Sequence, residues 1–532
     1  MRAASFAPAA SVRPLARAGL GLVVVAVGLW LLALGAFSLT RYRHFSADSR
    51  NYVNVARNVL AGRGLVQDTA GFGESRFPTK ARLPQPFGVH APLYPLAIAA
   101  LAALGLTAED AALLLPVVCA GLTLLAASLL VGRLYDARAA LLCAGLLVAS
   151  FPLAFLATSA WSELLATSAL FASLLALLWR AEPPGPRLIL LAGLLAGLAF
   201  ASRYPLVVAL PLGALALVGR GGWRPYLGRL ALYGAGFTAV AGPIVLRNLL
   251  VIGSLSGATR GPSDVAFAVN LKVARRVLLA QWAAGPEGGR FVEVLTLLLF
   301  GAAATGLTRR GEARSWLLER RRFVLWAWPL GYAAYMVLQR SVMHFDFLDA
   351  RLLGPAQLFV PCLVALALRA LVPAAAPLLA AGVVTIALIR GGLLADRIRS
   401  TPPAQAPRPG QTSERLRFVK KRTTPRDLLI VMRGTDLAFL LDRPSVYFTR
   451  RPEMSPVTRE DLRALLADAC PRYERVFLVF NKYRGHEASW RRGYGDLVTD
   501  LALGRLEPYP EVEEAIPLAD GTVFRLRCLE RR

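Results

Sequence analysis

The sequence predicts an α-helical polytopic membrane protein of about eleven transmembrane helices, with a small C-terminal α/β domain outside the membrane. Three observations predict it. Hydrophobic residues make up 55% of the 532 residues and charged residues only 18%, where a soluble domain carries about 25%. Apolar runs close to the ~20 residues that cross a bilayer recur through residues 18–390. After Leu394 the pattern changes to short apolar strands alternating with helical repeats. The 61 Lys and Arg against 34 Asp and Glu leave a net charge of +27. Much of that excess falls where the positive-inside bias puts it and fixes orientation. No aromatic platform is interleaved with the cations, so nucleic acid is not needed as a partner.

The first span, near 18–39, follows Arg13 and Arg17 and is long enough to remain as a signal anchor with its basic end inside. The next apolar segment, Ala91–Leu106, is short, opens with Pro92 and Pro95, and is followed by no cation. It is expected to dip into the interface rather than cross. With that segment set aside, Arg133 and Arg138, Arg180 and Arg187, Arg220, Arg224 and Arg229, and the block Arg309, Arg310, Arg314, Arg320, Arg321 and Arg322 all fall inside. The spans then lie near 18–39, 111–131, 139–157, 164–179, 188–201, 205–218, 230–250, 291–307, 323–338, 352–369 and 373–390. Residues 41–110, 251–290 and 339–351 fall outside, as does the tail.

Residues 395–426 read as a Pro-rich linker with nine basic residues and one acidic residue between Arg397 and Arg426, suited to anionic headgroups of the membrane lipids. In 427–532, Leu428–Met432, Val446–Phe448 and Val476–Phe480 read as strands, and Arg459–Ala469 and Ser489–Leu503 as helices. Cys119, Cys143 and Cys362 lie in apolar runs, and no metal-type spacing occurs among the five cysteines. Cys470 and Cys528 are compatible with a disulfide in an oxidising compartment or with two thiols.

The candidate chemistry lies in the outer segments. Tyr52, Val55, Ala56, Val59 and Leu60 have helical spacing, which predicts an interfacial helix stopped by Gly62 and Gly64. Asp48 stands at its start, either as a helix cap or as a general base or metal ligand at the boundary. His90 precedes the dipping segment. Glu163 opens a span from the outer side. Arg247 leaves the membrane outward, either to snorkel or to bind a phosphate. Arg351 closes a polar stretch from His344, where a structural ion pair is the alternative reading. Arg203, Arg57 and Asp349 are lesser candidates.

These elements, in this order, resemble the GT-C glycosyltransferases that use polyprenyl-phosphate-linked sugars, including protein O-mannosyltransferases and the aminoarabinose transferases of lipid A. The stretch Asp48, Tyr52, Arg57-Asn58 and Gly62-Arg63-Gly64 resembles the family's first outer loop with its essential acid. His90-Ala91-Pro92-Leu93 resembles a His/Lys-Pro-Pro-Leu segment. Glu163 matches the second acidic position, Arg247-Asn248 an outward Arg-Asn, and Arg351-Leu352-Leu353-Gly354-Pro355 a late Arg-Tyr-Leu-Leu-Pro-like segment. Ser49 stands where the mannosyltransferases have a second acid. The resemblance covers residues 18–390 and makes 1–394 the transferase domain, with outer loop 41–110.

The resemblance implies inverting transfer of a sugar from a polyprenyl-phosphate donor to a lipid, glycan or protein acceptor. Asp48 would be base or ligand of a divalent metal ion, and Glu163 would support it. His90, Arg247, Arg351 and Tyr52 would bind the donor phosphate or substrate. The implied location is the bacterial inner membrane, with the site on the periplasmic face. The rival readings are a transporter or flippase of a lipid-linked saccharide, and a lipid-diphosphate-dependent ligase or polymerase.

Overall fold

The computed structural model describes residues 28–39, 45–70, 83–179, 184–218, 222–309, 320–371, 414–431, 443–447, 458–481 and 496–528, with Glu487, apart from a few residues within 256–264, 285–288, 344–347 and 508. The start of the first expected span, the span near 373–390 and most of the linker lie outside these residues.

Helices α1 (Gly28–Leu39), α2 (Ala47–Leu60) and α3 (Leu93–Ala103) come first. The eleven residues of α3 rise about 16 Å, half of a ~30 Å hydrocarbon core, so this helix is too short to cross. Helix α4 (Ala108–Leu134) is capped by Thr107, which accepts from the Asp110 amide. Acids in its first turn and Arg133 in its last oppose the helix dipole. Helices α5 (Ala137–Ala149) and α6 (Phe151–Ala157) form a pair bent by 58° just before Pro152. Next come α7 (Glu163–Leu178) and α8 (Pro186–Ser202), then a 3-10 turn at Tyr204–Val208 leading into α9 (Ala209–Leu217).

Helix α10 (Trp223–Ile252) packs directly on α8. A Cβ at Gly193 would lie 2.2 Å from the Tyr233 carbonyl oxygen, so only glycine permits this backbone approach. Helices α11 (Phe267–Ala284), α12 (Gly289–Arg309), α13 (Arg320–Val342) and α14 (Gly354–Leu371) complete the bundle.

Among the described residues, α4, α10 and α14 are long and apolar enough to cross a membrane, and the bent α5–α6 pair makes a fourth. Expected spans near 164–179 and 188–201 appear as helices of 16 and 17 residues, rising about 24–26 Å. One expectation needs correcting. Residues 251–290, expected as an outer polar loop, contain the 18-residue helix α11. Its Asn270, Ala274, Val277 and Ala280 are buried along one face, and Arg275 pairs with Glu293 of α12 at 2.9 Å. The charges at Lys272, Arg275 and Arg276 masked that short apolar stripe in the sequence.

The tail forms a layered α/β unit around a six-stranded sheet. The strands, in chain order with the first three from the first loop, are β1 (Val66–Gln67), β2 (Thr69–Ala70), β3 (Gln85–Pro86), β4 (Leu428–Val431), β5 (Ser445–Tyr447), β6 (Val476–Asn481), β7 (Val512–Leu518) and β8 (Gly521–Leu526). The sheet order is β2-β5-β4-β6-β8-β7, and β1 pairs separately with β3. Strands β2, β5, β4 and β6 run parallel, and the β7–β8 hairpin is antiparallel. Helices α16 (Arg459–Ala469) and α17 (Asp496–Ala502) cover one face, and α15 (Glu414–Arg422) the other. The sequence reading found β4, β5, β6 and α16 but not β7 and β8, although the Asp520-Gly521 turn is a hairpin signal.

Cys470 and Cys528 form a disulfide between the end of α16 and the chain beyond β8. The bond spans 58 positions, so its loss is expected to destabilise the tail by about 4 kcal/mol through chain entropy. Thermal unfolding of the protein with and without reductant checks this. An unchanged tail transition would show that the crosslink contributes nothing.

Candidate active site

Helix α2 begins at Ser46, whose side chain accepts from the Ser49 amide while Ser49 Oγ accepts from the Ser46 amide. This reciprocal capping box satisfies the free N–H groups of the first turn. The cap is therefore Ser46, not Asp48, and Ser49 has a structural reason to replace an acid. Ser46 Oγ also accepts from Trp161 Nε1 at 2.7 Å, which ties α2 to the segment before α7.

Relieved of capping, the Asp48 carboxylate turns to Arg351 and His90. Oδ2 accepts from Arg351 Nη1, and Oδ1 lies 3.7 Å from His90 Nε2. Burial by itself would raise the Asp48 carboxyl. Arg351, His90 and Arg203 outweigh burial and hold it below the usual carboxylate range. Arg351 is aimed by a tight turn in which Asp349 Oδ1 accepts from the Arg351 and Leu352 amides at 3.0 and 2.8 Å. Its guanidinium lies 5.7 Å over the Trp161 ring.

Tyr52, one turn along α2, meets the His90 ring edge-on at 5.1 Å and the Tyr94 ring at 5.0 Å. Its hydroxyl lies 3.4 Å from Ser162 Oγ. Burial first, then the Asp48 and Glu163 charges, push the phenol well above its ordinary range. Tyr52 is thus a neutral hydrogen-bonding group rather than a base.

Glu163, the first residue of α7, pairs with Arg203 Nη1 at the C-terminal end of α8. The Glu163 side chain is only 3% exposed and that of Arg203 12%, so the more accessible member is the cation. The field of Arg203 reaches Asp48 and Tyr52, which joins the two ion pairs into one site. The sequence reading ranked Arg203 below Arg247. The available signal was a cation between two short apolar stretches, which has no reason to be there without a buried partner.

Arg247 is placed differently from the others. Its Nη1 donates to the Phe87 carbonyl at 2.7 Å and its Nη2 to the Leu65 carbonyl at 3.0 Å. Those oxygens flank the paired strands Val66–Gln67 and Gln85–Pro86, and Arg247 holds the open end of that pair. Asn248 Nδ2 donates to Tyr204 Oη, which donates to the His90 carbonyl at 3.3 Å. The Arg247-Asn248 pair therefore fixes the segment that carries His90. The structure brings together Asp48, Tyr52, His90, Glu163 and Arg351, adds Arg203, and sets Arg247 behind them. Of the lesser candidates, Arg57 pairs with Glu109 and Asp349 serves the Arg351 turn.

The donor set does not suit a divalent ion. Asp48 is committed to Arg351 and Glu163 to Arg203, and no group of three metal-type ligands occurs among the described residues. The arrangement instead suits an anion bordered by a carboxylate.

Residues 89–246 match the family model described as dolichyl-phosphate-mannose-protein mannosyltransferase. No curated protein sequence matches the chain. Among solved structures, the chain resembles ArnT from Cupriavidus metallidurans bound to undecaprenyl phosphate, with 14% identity and a TM-score of 0.62 over 95% of this chain and 98% of that one. It also resembles the archaeal oligosaccharyltransferase AglB from Archaeoglobus fulgidus in complex with an inhibitory peptide and a dolichol-phosphate, with 14% identity and a TM-score of 0.50 over 97% and 75%. The Archaeoglobus fulgidus oligosaccharyltransferase in complex with Zn and sulfate matches at 14% identity and a TM-score of 0.53, over 89% and 70%. At such identities the likeness is one of fold. The family match is confined to residues 89–246, while the fold of these solved structures is shared over nearly the whole chain.

Proposed function

We propose that the chain transfers a sugar from a polyprenyl-phosphate donor to an acceptor hydroxyl at the extracytoplasmic face of a bacterial inner membrane, with inversion. One observation carries the reading: the Asp48 carboxylate pairs with Arg351 and faces His90, within the field of Arg203. The solved structures bound to undecaprenyl phosphate and dolichol-phosphate support a lipid-linked donor. The Cys470–Cys528 bond suits an oxidising compartment.

Asp48 takes the proton of the acceptor hydroxyl as its oxygen forms the new bond to the anomeric carbon. The bond from that carbon to the phosphate oxygen breaks, and polyprenyl phosphate leaves with the electron pair. Arg351 and Arg203 offset the charge gathering on the departing phosphate, with His90 beside them. Tyr52 and Trp161 keep water from the carboxylate and orient its neighbours. Attack opposite the leaving phosphate inverts the anomeric centre, and no covalent enzyme intermediate is needed. Glu163 holds Arg203 in place. Neither the transport nor the lipid-diphosphate reading has an observation in its favour.

The test supplies membranes containing the protein with labelled polyprenyl-phosphate sugars and follows label into lipid, glycan and protein. The product linkage is then read by NMR. Transfer with inversion is expected. Retention of configuration, or no transfer from any such donor, would overturn the reading.

A further inference from the structure

Helix α2 was expected as an interfacial helix with its apolar face on the membrane. Its polar face is buried. Asn51, Asn54 and Asn58 are 1%, 2% and 0% exposed, and each meets the chain between Val66 and Asp68. Asn51 Nδ2 donates to Gln67 Oε1 at 3.1 Å, and Asn58 Nδ2 to the Val66 carbonyl at 2.9 Å. Asn54 makes the fullest contact: Nδ2 donates to Asp68 Oδ2 at 3.0 Å, and Oδ1 accepts from the Asp68 amide at 2.9 Å. The remaining backbone group of Asp68, its carbonyl, accepts from the Ser445 amide of β5 at 3.0 Å. From there β2 continues as the edge strand of the tail sheet, with Thr69 opposite Ser445 and Ala70 opposite Val446.

One residue, Asp68, is thus held by the helix that carries Asp48 on one side and by the C-terminal domain on the other. Asn54 lies six positions beyond Asp48 on a continuous helix, about 9 Å along its axis, so a shift at Asn54 is transmitted to the carboxylate. We propose that the C-terminal domain serves to position Asp48, and that Asn54 and Asp68 are the positioning residues through which it acts. The inference rests on Asp48 being the base.

The swap of the two side chains tests it in the full-length protein in membranes, with a labelled polyprenyl-phosphate sugar as donor. Asn54→Asp sets two carboxylates against each other and breaks the contact. The double variant Asn54→Asp/Asp68→Asn restores it in mirror form, since the carboxylate at 54 accepts both the amide side chain and the backbone N–H at 68. The single variant is expected to lower kcat by roughly 10- to 100-fold with the donor KM unchanged, and the double variant to recover it. Wild-type kcat in Asn54→Asp, in an assay where Asp48→Asn is inactive, overturns this inference alone. A double variant that melts like the wild type yet stays slow overturns it as well, and decides the matter if the single variant does not fold. Full activity of Asp48→Asn removes the base assignment and this inference with it.

Discussion

Replacing Asp48 by asparagine is expected to slow sugar transfer by roughly 10²–10⁴-fold while leaving the protein folded. The amide cannot accept the acceptor's proton, which is the whole of the role proposed for the carboxylate. Folding survives because the first turn of α2 is capped by Ser46 and Ser49, not by Asp48. The amide oxygen still accepts from Arg351, a contact that alanine would remove. Asparagine therefore separates chemistry from stability. The measurement is the initial rate of label transfer beside a thermal unfolding curve. A folded Asp48→Asn protein with the wild-type rate would place the base elsewhere.

The second large effect is expected at Arg351, and it has a pH signature. Arg351 is the first of the cations that hold the Asp48 carboxyl low against the opposing pull of burial. In Arg351→Gln that opposition weakens, so the carboxyl rises and binds its proton at higher pH. A base acts only when deprotonated, so the acid limb of the pH–rate profile moves upward. Loss of a charge-stabilising donor adds a fall of roughly 10²–10³-fold at the pH optimum. Arg351→Lys keeps the charge without the fork geometry and should move the limb less than glutamine does. The check is kcat against pH for the three proteins. An acid limb that stays where it is would mean that Asp48 is not the group being titrated.

Much of the site was legible because its residues break local rules. Asp48, His90 and Glu163 are polar groups at the ends of apolar segments, and Arg351 closes a polar stretch just before a span. Shortness, two prolines and the positions of the later cations set Ala91–Leu106 apart from the spans, and α3 within it is only 11 residues long. What escaped depends on contacts between distant segments. A stripe of asparagines on α2 reads as a water-facing side until the loop that covers it is seen. Arg247 reads as a phosphate ligand because nothing in its neighbourhood shows that the carbonyls of Leu65 and Phe87 will claim it. Arg203 was undervalued for the opposite reason, since its partner lies on another helix.

The edge strand β2 sets an order of events in biogenesis. Thr69 is synthesised long before Ser445, its neighbour in the sheet. At ~5–20 residues per second the two emerge from the ribosome ~20–75 s apart. The strand in the first loop waits without its sheet neighbour while the intervening helices are made. Residues 428–526 then complete a sheet around a strand that is already made, so the loop that follows α2 gains its second anchor only after the whole bundle has been synthesised.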